Sequence, residues 1–165
     1  MASSRDWADA YLAQARADLE GARLVGAAAP SVFAMLMQMV FEKFAKAALL
    51  RSGAVTRGWA EGTHRGASHM LRAMRLQRGL MEPMGGAKVW HDVLWAVEAL
   101  ERAHPAVARG APQLEYPWET ATGLVQWPAR DLPLAASMGN PASNLTTRVV
   151  QFASLLGQRF DRIFP

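Results

Sequence analysis

Histidine and arginine gather between Arg51 and Leu80, and chemistry is sought there first. The segment holds six arginines (Arg51, Arg57, Arg65, Arg72, Arg75, Arg78), two histidines (His64, His69) and a single acid, Glu61. A histidine can take a proton from a ribose hydroxyl, and an arginine can hold a phosphate as charge grows on it. Two spacings offer that combination. Six residues separate Arg57 from His64, and three separate Arg65 from His69. Short pairs of this kind also arise by chance in an arginine-rich chain. The other use of these residues is binding without chemistry. On a helix, Arg65, His69 and Arg72 follow at steps of four and three and share a face that can meet phosphate. Arg75 lies one step of three further on, and Lys43 joins the set from the preceding helix as a fourth phosphate contact. The plain competitor is a solvated face opposite a Leu71/Met74 stripe. Arg72 and Arg75 have no acid three or four residues away, whereas Arg78 has Glu82.

These residues must be carried by helices. Ser3 or Ser4 can cap a first helix running to about Val25, with Trp7, Tyr11, Ala15, Leu19 and Ala22 as its apolar stripe. Gly26 and Pro30 stop it. Ser31 is the expected cap of a second helix ending near Arg51–Gly53, in which Phe33, Met37, Val40, Phe44 and Ala47 recur with helical period. The short connection makes the two helices antiparallel neighbours. The second helix is apolar over most of its circumference, which places it at the centre of the molecule or at an interface. A homodimer through this helix is therefore expected. A third helix is predicted over 67–80 and a fourth over 88–103, the latter with Trp90, Val93, Leu94, Val97 and Leu100 inward. From Ala106 to Asn140 periodicity dissolves among four prolines, but Tyr116, Trp118, Trp127 and Leu132 predict that the segment packs, with a short helix near 119–125. A last amphipathic helix is predicted over 141–163. No repeat and no strand alternation stands out.

Inside the greasy second helix sit Gln38, Glu42, Lys43 and Lys46, followed by Ala47 and Leu49. Read as Q-x-x-x-E-K-x-x-K-A-x-L after a first helix reading ARADLEGARL, this pattern resembles the HEPN domain family (higher eukaryotes and prokaryotes nucleotide-binding). A histidine commonly opens that family's third helix, and His69-Met70-Leu71 or His64 stands at the matching place. The resemblance covers residues 5 to about 80. It implies an all-α, up-and-down bundle of four to five helices, commonly dimeric, in which 106–140 is an insertion. It also implies one of two roles. Many members are metal-independent ribonucleases acting in toxin–antitoxin or RNA-targeting systems, with an arginine and a histidine at the start of the last helix. Others lack the pair and act as partners of small nucleotidyltransferases or as nucleotide-binding modules. Here the last helix carries Arg148, Arg159 and Arg162, and no histidine follows His104. A non-catalytic binding module is the expectation. A ribonuclease using Arg57, His64, Arg65 or His69 is the alternative.

Bulk properties narrow the classes. One domain is expected from 165 residues. The chain has no cysteine, so disulfides and thiolate metal sites are excluded. The four histidines are scattered, Glu101 and His104 alone are too few for a metal site, and neither metal nor cofactor is expected. Phosphate loops and dinucleotide fingerprints are absent. Net charge is +4, with only three lysines among 18 basic residues. A codon bias toward arginine explains this as readily as nucleic-acid binding does. No apolar run is long enough to span a membrane and no leader is visible, so a cytoplasmic protein is expected.

Overall fold

The computed structural model describes residues 2–77, 79–109 and 111–165. Two long helices form its axis: α1 (Ser4–Val25) and α2 (Pro30–Arg51), joined by a 3-10 turn at Gly26–Ala28. α1 opens as its sequence dictates. Ser3 caps it, and Ser3 and Asp6 satisfy each other's backbone N–H in a capping box. α2 departs from expectation at its start, where Ala29 rather than Ser31 is the cap. Pro30 occupies the first turn, whose missing N–H costs nothing there. The helices run antiparallel: Asp18 meets Lys43 near the middle of the pair, and Asp9, earlier in α1, meets Arg51 at the end of α2.

The remaining elements wrap α2. They are α3 (Arg57–Gly62), α4 (Gly66–Arg75), α5 (Gly86–Arg102), the short α6 (Pro105–Ala108), a two-stranded antiparallel hairpin of β1 (Trp118–Glu119) and β2 (Val125–Gln126), α7 (Pro128–Asp131), α8 (Pro133–Gly139) and α9 (Leu145–Ile163). α1, α3, α4, α5, α7, α8 and α9 all pack on α2. Phe33, Met37, Val40, Phe41, Phe44 and Leu50 are buried within this one chain. The apolar circumference that suggested an interface is thus covered internally, and of that surface Val32 remains exposed near the start of the helix. The molecule is an all-α bundle, and among the described residues no helix is long and apolar enough to cross a membrane.

α5 and α9 form the opposing wall. Trp90 stands edge-on to Phe152 with ring centres 4.9 Å apart, and its indole N–H donates to the Met81 carbonyl. Phe44 stacks on Phe160 at 5.8 Å.

Several boundaries differ from the sequence reading. The glycine-rich stretch before the third helix holds α3, capped by Thr56, which accepts from the Trp59 N–H. The third helix ends at Arg75 instead of Leu80, closing in tighter i→i+3 bonds at Leu76 and Gln77. The Arg78–Glu82 pairing lies outside the described residues. The segment 119–125 is a hairpin, not a helix, with Gly123 supplying the left-handed turn residue at φ +79°. The last helix starts at Leu145, after a 3-10 turn at Pro141–Ser143. Within 106–140, Leu114, Trp118, Leu132, Leu134, Ala135 and Met138 are buried against the main core. That segment braces the bundle.

Candidate functional site

The polar set of α2 turns out to be a lattice. Gln38, Glu42 and Lys46 stand one helical turn apart on one face. The Gln38 amide donates to Glu42 at 2.6 Å, and Lys46 Nζ meets Glu42 Oε1 at 2.8 Å. Lys46 also donates to the Glu61 carbonyl of α3 at 3.0 Å and lies 5.7 Å from the Tyr11 ring centre of α1. Lys43 turns the other way and pairs with Asp18 of α1 at 2.5 Å, with both side chains mostly buried. The motif residues therefore tie α2 to α1 and α3.

Glu42 also faces two histidines. His64, just before α4, approaches it at 3.3 Å, and His104, which caps α6, at 3.8 Å. The imidazoles stack with centres 4.1 Å apart and planes 18° from parallel. Sequence reasoning placed His104 beside Glu101 on one helix face. Instead Glu101 is buried and accepts the Ser68 N–H in the first turn of α4, a helix whose N-cap residue, Arg65, provides no side-chain acceptor. No spacing rule foretells the stack, because both histidines lie at helix starts and meet only in three dimensions.

Glu42, His64 and His104 are the group of metal-ligand type that comes together among the described residues. The donor set does not fit a divalent cation. His104 Nδ1 accepts the Ala106 N–H, so its proton sits on Nε2, the atom that would have to ligate. Nearly parallel rings send their lone pairs along parallel planes rather than to one point. The Lys46 ammonium already neutralises Glu42.

Burial works against the Glu42 carboxylate, but the bonds from Lys46, Gln38 and His64 outweigh it and hold its pKa below the usual range. For His104, burial and then the neighbouring His64 push the pKa below 6.5. The sign of the linkage follows. The unfolded chain takes up this proton near 6.5 and the folded protein resists it, so the contribution is complete above pH 6.5 and is lost as pH falls from there toward the folded value. Unfolding midpoints are expected to drop between pH 7 and 5. In His104→Asn, which keeps a cap acceptor and removes the titrating ring, that slope should flatten. An unchanged slope in chemical denaturation would refute the assignment.

The arginine-rich segment divides in the same way. Arg57 lies 3.6 Å over the Trp7 ring and pairs with Glu61 at 2.6 Å, while His64 faces Glu42, so the Arg57/His64 spacing yields no shared site. Arg72 pairs with Glu98 of α5 at 2.6 Å, an acid 26 residues away in sequence. Arg148 of α9 pairs with Asp92 of α5. The four-cation phosphate patch of Arg65, His69, Arg72 and Lys43 is thereby broken up: Lys43 and Arg72 are engaged by acids from other helices.

Arg65 and His69 stay together. They sit at the mouth of a cleft of about 410 Å³ between α2, α3 and α4, closed at one end by Phe164. His69 Nδ1 donates to the Arg65 carbonyl at 2.9 Å, which leaves Nε2 as the outward acceptor. The walls are Ala48, Leu49, Met70, Ala73 and Met74, and Trp59, 54% exposed, stands beside them. α4 lies against α2 at Gly66, where a Cβ would come into van der Waals contact with Ala45 and Leu49 at 3.4 Å. Small residues and a short helix leave the space that larger side chains would fill. Comparison of the chain with known protein families, curated proteins and solved structures finds no match.

Proposed function

We propose that this chain is a HEPN-like binding module without catalytic activity, and that it recognises its ligand in the cleft between α2, α3 and α4. One observation carries the reading: Glu42, Lys43 and Lys46 of the motif and Arg148 of the last helix are engaged in internal ion pairs, whereas Arg65 and His69 open onto an apolar cleft. Pockets of this size with a few convergent polar groups are the usual form of small-molecule sites. The HEPN resemblance rests on the Gln38–Glu42–Lys43–Lys46 pattern, and the lattice those side chains build gives the pattern a structural reason.

Phosphodiester cleavage needs a base and a cation on the same substrate. Arg65 with His69 is the one sequence pair that shares an opening, so it is the alternative to be tested. Purified protein incubated with mixed RNA in a chelating buffer is expected to leave the RNA intact. Cleavage lost in His69→Ala would replace the binding reading by the ribonuclease one.

A protein partner, whether a second copy or a nucleotidyltransferase, belongs on a different surface in this reading. Tyr116 and Trp127 are exposed beside Val32 at the start of α2, and together they line a concave apolar patch. Exposed tyrosine and tryptophan are among the residue types that contact surfaces favour.

A further inference from the structure

Resting on the cleft as the binding site, we infer that its ligand is a carboxylate-headed amphiphile: one anionic group on an apolar body of about ten carbons. The walls set the body. Leu49, Met70, Met74 and Phe164 are apolar, Ala48 and Ala73 are small, and methionines adapt to a chain of irregular course. The mouth sets the head. Among the described residues the Arg65 guanidinium has neither an acid nor a hydrogen-bond partner, and a guanidinium fork matches one carboxylate. His69, held by its Nδ1 bond to the Arg65 carbonyl, fixes the other side of the mouth.

The same census argues against a polyphosphate. Arg57, Arg72 and Lys43 are engaged by Glu61, Glu98 and Asp18, and Arg75 does not line the cleft. A triphosphate seated on Arg65 would leave most of its charge unmatched against apolar walls, where unpaired charge is costly.

Calorimetric titration of the full chain with decanoate, below its micelle concentration, tests this. Decan-1-ol and ATP are parallel ligands, and Arg65→Gln and Ala73→Phe are the variants. Both substituted side chains are exposed, so neither change opens a cavity, and circular dichroism checks that each variant folds. The expected result is saturable 1:1 binding of decanoate. Affinity should fall about tenfold for decan-1-ol, and equally for decanoate on Arg65→Gln, as for loss of one charge-assisted hydrogen bond. Ala73→Phe should abolish binding by filling the cleft. Non-saturable uptake, or binding indifferent to both variants, overturns the inference. ATP binding that disappears in Ala73→Phe, with none for decanoate, overturns the ligand class and leaves the cleft standing. Ligand binding that survives Ala73→Phe overturns both.

Discussion

Replacing Glu42 by alanine is expected to cost about 3 kcal/mol of folding stability, a large share of what a domain this size possesses. The Lys46 side chain is only 8% exposed and Glu42 is its carboxylate partner. Without it the ammonium keeps just the Glu61 carbonyl and the flank of the Tyr11 ring. Gln38 loses its acceptor and His64 its counter-group in the same step. The cost is therefore dominated by a stranded charge, not by the bond removed. A double variant distinguishes the two. Glu42→Gln with Lys46→Met removes both charges at similar volume and should be more stable than Glu42→Ala, because nothing buried is left unpaired. Urea unfolding of the wild type, the single and the double variant measures this. A double variant less stable than the single would mean that the lattice contributes through each bond separately.

The second large effect is at the C-terminal end of α2. The Arg51 side chain is 4% exposed. It pairs with Asp9 of α1 at 2.7 Å and Asp161 of α9 at 2.6 Å, and donates to the Phe164 carbonyl at 2.9 Å. Its guanidinium lies 5.2 Å from the Phe160 ring centre. This single residue joins three helices. The partners differ from it in exposure: Asp9 and Asp161 are both more than half exposed. Arg51→Met leaves two carboxylates that water can serve, and should cost about 1–2 kcal/mol. Asp9→Asn with Asp161→Asn leaves a buried guanidinium without a counter-charge, and should cost more, about 3 kcal/mol. A double asparagine variant as stable as the parent would show that the arginine acts by packing alone. The pH dependence has a definite sign as well. The Arg51 bond, with burial opposing it, holds the Asp161 pKa below its ordinary value. Its stabilisation is present above the unfolded carboxylate pKa and fades as pH falls below it. Arg51→Met should remove that part of the acid limb.

The legible and illegible parts of this molecule divide along one physical line. α1 and α2 could be read because period and capping are local: Ser3 at the start of α1 and the Phe33-to-Ala47 stripe of α2, although Pro30, expected to lie outside α2, opens it. In 106–140 the large side chains announce packing but no period says which of them turn inward: Trp118 and Leu132 are buried against distant helices, while Tyr116 and Trp127 are exposed. The site divides likewise. Searching three and four residues either side of Arg72 correctly finds no acid, yet Glu98 reaches it from α5. Lys43 suits a phosphate contact or a charge pair across the bundle equally well by type, and Asp18 on the antiparallel neighbour decides for the pair. Which cations are available is a tertiary property, and spacing reports only the local half of it. The all-round greasiness of α2 had two readings, and burial by neighbours in the same chain accounts for it without a second copy.

Urea unfolding of Lys43→Ala beside Arg65→Ala puts the division between fold-holding and ligand-facing cations to its most direct test. Lys43→Ala should lower stability by about 2 kcal/mol, as for a mostly buried charged hydrogen bond, and Arg65→Ala should stay within about 0.5 kcal/mol of the parent. A wild-type midpoint for Lys43→Ala, or an equally large loss for Arg65→Ala, would contradict it.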